Sequence, residues 1–95
     1  MNQKKLNKKM ICLSINMEKT GKNIRQKISD KGYSVRDVMD LTGISTEQAV
    51  YKWLGGRSLP TLETLLILGR ILNSDISELL ILDEVTEKMC EDTAK

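Results

Sequence analysis

Histidine and phenylalanine are absent from the 95 residues, proline and tryptophan occur once each, and cysteine occurs twice. Without histidine the commonest general base is missing, and no paired acid or glycine-rich phosphate loop takes its place in a recognisable motif, so no enzyme is expected. Cys12 and Cys90 stand near opposite ends without CxxC or Cys/His spacing. No zinc site or disulfide framework is read from them; two reduced thiols are expected, with no metal and no cofactor. The apolar residues are Leu, Ile, Val and Met with few β-branched clusters, which leans away from a sandwich or barrel and toward helices. A chain of this length holds one domain with a modest core.

Long apolar runs are missing too. The basic start followed by MICLSI imitates a secretory signal, but Ser14, Asn16, Glu18 and Lys19 end the run too early and no small-residue cleavage site follows. Nothing approaches the roughly 20 apolar residues of a membrane helix. A cytoplasmic protein without a membrane partner is expected.

The net charge of +2 hides an asymmetry. Lys4, Lys5, Lys8 and Lys9 stand at one end with no acid among them, whereas Asp83, Glu84, Glu87, Glu91 and Asp92 crowd the other. A basic arm suits a polyanion and is equally a solvated, frayed end. Residues 10–17, MICLSINM, alternate with period two and suggest a short strand, for which a copy of itself in a second subunit is a natural partner. An irregular arm or a helical extension is the competing reading of the same stretch.

What remains is punctuated like a helical bundle. Thr20 is read as the cap of a first helix running to about Lys31, with Ile24 and Ile28 inward and Gly32 as its stop. Ser34 opens a second helix through Leu41, with Val35, Val38, Met39 and Leu41 as its apolar set, closed by Gly43. Ser45 or Thr46 opens a third that reaches Leu54 before Gly55 and Gly56. Pro60 and Thr61 start a fourth, whose Leu62, Leu65, Leu66, Ile67, Leu68, Ile71 and Leu72 make it the expected central buried element. Asp75 and Glu78 have the form of a capping box for a fifth helix, from Ile76 to about Leu82 or further.

Two short helices joined by a glycine turn form a helix-turn-helix unit, whose second helix can lie in a DNA major groove. At 100° per residue, Ala49, Val50 and Trp53 fall on one side of the third helix, leaving Thr46, Glu47, Gln48, Tyr51 and Lys52 on the other. Gln pairs with adenine, hydroxyls and lysine reach base edges or phosphate, and Glu47 can accept from cytosine. Any surface helix also carries such residues. Helix starts near Ser34, Thr46 and Thr61, with Arg36, Lys52, Arg57 and Ser58, supply donors for phosphates.

From Asn23 to Leu80 the chain resembles the Xre/Cro/CI-type helix-turn-helix family, the lambda-repressor-like fold. The resemblance rests on "GYSVRDVMDLTGIS", "QAVYKW" and "GGRSLPTLETLLILGRILNSDISELL", with Met39 standing where a small alanine is usual. It implies an all-α, compact five-helix domain at 20–82; the charge pattern and the period-two stretch add a basic arm or short strand before it at 1–19 and an acidic tail or helix extension after it at 83–95. It further implies a bacterial or phage transcription regulator that binds double-stranded DNA as a homodimer. The recognition helix would be 46–54, reading bases with Thr46, Glu47, Gln48, Tyr51 and Lys52 and touching phosphates with Ser34, Arg36, Arg57, Ser58 and Thr61. A protein-interaction module of the same fold, antitoxin-like or a regulatory adaptor, is the alternative. In its favour, residues 10–82 hold nine basic and eight acidic side chains, close to neutrality.

Overall fold

The computed structural model describes residues 12–85. In chain order they form strand β1 (Cys12–Ile15), helices α1 (Met17–Asp30), α2 (Val35–Thr42), α3 (Glu47–Leu54), α4 (Leu62–Leu72) and α5 (Ile76–Leu79), and strand β2 (Leu82–Val85). The lysine-rich start at 1–11 and the acidic stretch from 86 lie outside the described residues.

Each helix begins where a side chain replaces a missing carbonyl partner. The Ser34 hydroxyl accepts from the Asp37 amide at 3.1 Å and the Asp37 carboxylate accepts from the Ser34 amide at 2.8 Å, a complete capping box for α2. Thr46 accepts from the Ala49 amide at 3.3 Å and Thr61 from the Thr64 amide at 3.2 Å, fixing the starts of α3 and α4. At the start of α5 the Glu78 carboxylate accepts from the Asp75 amide at 2.8 Å. Gly43 ends α2 at φ +79°, a left-handed geometry that glycine adopts without strain, and the chain turns there into α3.

The first helix corrects the sequence reading. It begins at Met17 rather than after Thr20, because Asn16 is the cap and accepts from the Lys19 amide at 2.9 Å. Thr20 is 1% exposed, and its hydroxyl accepts from the Ile81 amide at 2.9 Å and donates to the Ile81 carbonyl at 3.4 Å. The Asn16 amide also donates to the Ile81 carbonyl at 2.7 Å. The start of α1 is thereby tied to the segment just before β2.

That tie explains a second correction. The fifth helix stops at Leu79, Leu80 turns extended, and Leu82–Val85 become a strand. β1 supplies the ladder that makes this possible: the two strands run antiparallel with Cys12 opposite Val85, Leu13 opposite Glu84, Ser14 opposite Asp83 and Ile15 opposite Leu82. The period-two arm therefore forms a strand at 12–15 but pairs within its own chain. Cys12 is disulfide-bonded, contrary to the reduced thiol expected. The pairing sets Leu82–Val85 beside Cys12–Ile15, an adjacency that sequence separation conceals.

The core gathers Ile24, Val38, Val50, Leu68 and Leu79, all fully buried, with Ile28, Met39, Trp53, Leu54, Leu65 and Leu72 around them. Here α4 departs from expectation. It buries Leu65, Leu68 and Leu72, but Leu62 is 65% exposed, Leu66 57% and Ile67 37%, and on α2 Leu41 is 45% exposed. A small domain covers one stripe of a helix, so a stretch apolar all round need not be buried all round. α2 and α5 pack on the buried side of α4, whereas α3 packs against α1 and α2.

Candidate nucleic-acid interface

α3 is seated by its apolar residues. Val50, Trp53 and Leu54 are buried and Ala49 half-buried. Leu54 was not among the anchors named from the sequence; it joins them because the last turn of α3 lies directly on α1. Gly21 permits this approach, since a Cβ there would come within 2.5 Å of the Leu54 carbonyl oxygen and 2.6 Å of that of Trp53. No apolar periodicity marks such a residue. A glycine inside a helical pattern, with a helix-propensity cost of about 1 kcal/mol against alanine, was the available signal.

With that side fixed, Thr46, Glu47, Gln48, Tyr51 and Lys52 all stand exposed to solvent. Gln48, Tyr51 and Lys52 line one groove with Gly55 and Arg57, so the loop after α3 brings its cation beside the outward face of the helix. Tyr51 also lines a second groove with Arg25, Ser29, Tyr33 and Ser34. This second groove connects α3 to the start of α2. Arg25 and Tyr33 were not singled out from the sequence, because the crossing of α1 over α3 that brings them here leaves no local pattern.

The phosphate-contact set is less uniform. Ser34, Arg36, Arg57 and Thr61 are exposed and Ser58 is half-buried. Arg36, Ser58 and Thr61 line neither of these two grooves. The Thr61 hydroxyl accepts from the Thr64 amide and donates to the Thr64 hydroxyl at 3.0 Å, and the Ser34 hydroxyl accepts in its capping box. What these two positions offer an anion is chiefly the first-turn amides they precede, which have no intrahelical carbonyl to meet. The amides of Val35 and Arg36 after Ser34, and those of Leu62 and Glu63 after Thr61, stand in such first turns.

Among the described residues the ion pair present is Lys22 with Glu18, at 3.9 Å. Arg25, Arg36, Lys52 and Arg57 thus keep their charge uncompensated by a described carboxylate. Glu47 is the acid on the outward face of α3, and it sits in the first turn, where the helix dipole favours a negative charge. Among the described residues no cluster of His, Cys, Asp and Glu could hold a metal ion, and no helix is long and apolar enough to cross a membrane.

Comparison with known proteins agrees with this geometry. A family model described as a Cro/C1-type HTH DNA-binding domain matches residues 23–84. The crystal structure of the restriction-modification controller protein C.AhdI from Aeromonas hydrophila is similar, with a TM-score of 0.60 and 25% sequence identity over 67% of this chain and 96% of that one. No curated protein matches the chain.

Proposed function

The chain belongs to the Cro/C1-type helix-turn-helix DNA-binding family, and from that premise we propose how this regulator engages its duplex. It is a DNA-binding regulator and not an enzyme; α3 enters the major groove, and Gln48, Tyr51 and Lys52 read base edges with Thr46 and Glu47 at the leading end. Arg57 reaches the backbone beside them, and Ser34, Arg36, Ser58 and Thr61 contribute further phosphate contacts, in part through first-turn amides. The chain acts as a homodimer, so its operator has two related half-sites about one helical turn apart.

One observation carries this reading above the others: four polar side chains of α3 and its cap Thr46 are exposed together while Val50, Trp53 and Leu54 hold the opposite side in the core. Similarity to a controller protein supports a role in governing expression.

Selection of bound sequences from a random duplex pool tests base reading and half-site symmetry at once. A two-fold consensus is expected, and Gln48→Ala should relax preference at one position per half-site by about 1–3 kcal/mol. Failure to enrich any duplex at low salt would overturn the reading. Co-purification of a protein partner in that event would favour the adaptor alternative.

A further inference from the structure

We propose that Arg25, on α1, holds a further phosphate of the duplex, across Tyr51 from the one met by Arg57. The inference rests on the reading of α3 given above and adds to it a residue that lies outside the two helices of the helix-turn-helix unit. Tyr51 belongs to two grooves. At 100° per residue Leu54, Tyr51, Gln48 and Lys52 follow one another round α3, so Tyr51 is the ridge between the flank that meets α1 and the flank that carries Gln48 and Lys52. Arg57 stands on the second flank. On the first stands Arg25, with Ser29, Tyr33 and Ser34.

Charge sets these two grooves apart from others on the molecule. Each holds a cation, and neither is lined by a described carboxylate. By contrast, the groove between α4 and α5 sets Asp75 and Glu78 beside Arg70, and the one at the turn from α1 to α2 sets Asp37 and Asp40 beside Lys31. A polyanion is drawn to the first kind and held off by the second. Arg25 is exposed, and among the described residues it has neither an ion pair nor a side-chain hydrogen bond. No existing bond need break for its planar fork to meet two phosphate oxygens. Ser29, Tyr33 and Tyr51 surround it with hydroxyl donors.

The length of α1 assigns the two arginines to different phosphates. Gly56, next to Arg57, lies against the start of α1, where a Cβ on it would stand 2.9 Å from the Glu18 Cα. Arg25 is about two turns further along that helix, a rise of about 10 Å. Phosphates of one strand recur about every 3.4 Å along the duplex axis, so this rise spans more than one of them.

Phosphate-ethylation interference and a salt series on the selected duplex test the contact, with wild type, Arg25→Ala, Arg57→Ala and the double variant compared. Arg25→Ala is expected to abolish interference at a phosphate that Arg57→Ala leaves in place, to lower the slope of log affinity against log salt by about one, and to keep the consensus. The two losses of slope should add in the double variant. Arg25→Lys should restore the slope, because the charge is what releases counterions. Arg70→Ala removes the same charge from an acid-lined groove and should leave both readouts at wild-type values. Arg25 is exposed, so the thermal midpoint should not move. A slope untouched by Arg25→Ala, or lowered as much by Arg70→Ala, overturns the contact and leaves base reading by α3 standing. Loss of one and the same phosphate in both single variants overturns the separate assignment. A wild type that binds no duplex overturns the reading of α3 as well.

Discussion

Thr20 illustrates how one side chain can satisfy a sequence rule and serve another purpose. Read along the chain it is a helix cap; in the fold it is buried, with its hydroxyl bonded to both backbone groups of Ile81. Replacing it by valine keeps the shape and strands the Ile81 amide, so Thr20→Val should cost about 1–3 kcal/mol of stability in urea titration, with Thr20→Ser much closer to wild type. Equal losses for the two would show that packing rather than the hydroxyl matters. The outward set on α3 was legible because 100° per residue separates Val50 and Trp53 from Gln48, Tyr51 and Lys52 without reference to anything else. Thr20 was not legible, because its partner lies 61 positions away.

At the level of elements, the caps written in the sequence at Ser34, Thr46 and Thr61 appear in the structure with their hydrogen bonds. Local chemistry decides such features, so a local reading finds them. The strand at 82–85 was missed because its conformation depends on β1, and β-structure takes its stability from a partner more than from propensity. The contact of α1 with α3 was invisible for the same reason, and it makes a sharp prediction. Alanine is a better helix former than glycine by about 1 kcal/mol, yet Gly21→Ala should destabilise by about 1–3 kcal/mol, because its Cβ would press on two backbone carbonyls that cannot turn aside. Thermal unfolding would register this as a lower midpoint. A higher midpoint would mean that α3 shifts without cost and is held less firmly than its proposed role as a base reader requires.

For the whole molecule the question is how a nearly neutral body holds a polyanion. Residues 10–82 carry nine basic and eight acidic side chains, so attraction must come from where the charges stand. Arg36, Lys52 and Arg57 are exposed and are not paired with described acids. Each one that meets a phosphate adds about 0.9 to the slope of log affinity against log salt. Single alanine variants should each lower that slope by about one while leaving the selected consensus unchanged for Arg36 and Arg57. Fluorescence anisotropy across a salt series reads this directly, and a residue whose removal leaves the slope untouched does not contact the backbone. The fold class was readable from the whole sequence because five helices with local stops dominate it, whereas the ribbon that joins its two ends was readable only in halves.

The ribbon also orders events in time. Every helix can begin to form as its own residues leave the ribosome, and helical contacts are mostly local and quick. β1 is made first and cannot pair until Leu82–Val85 have been made, after all five helices. Until then the β1 segment has no ladder partner and water meets its backbone, so the long loop between the two strands can close only after the residues of all five helices have been made.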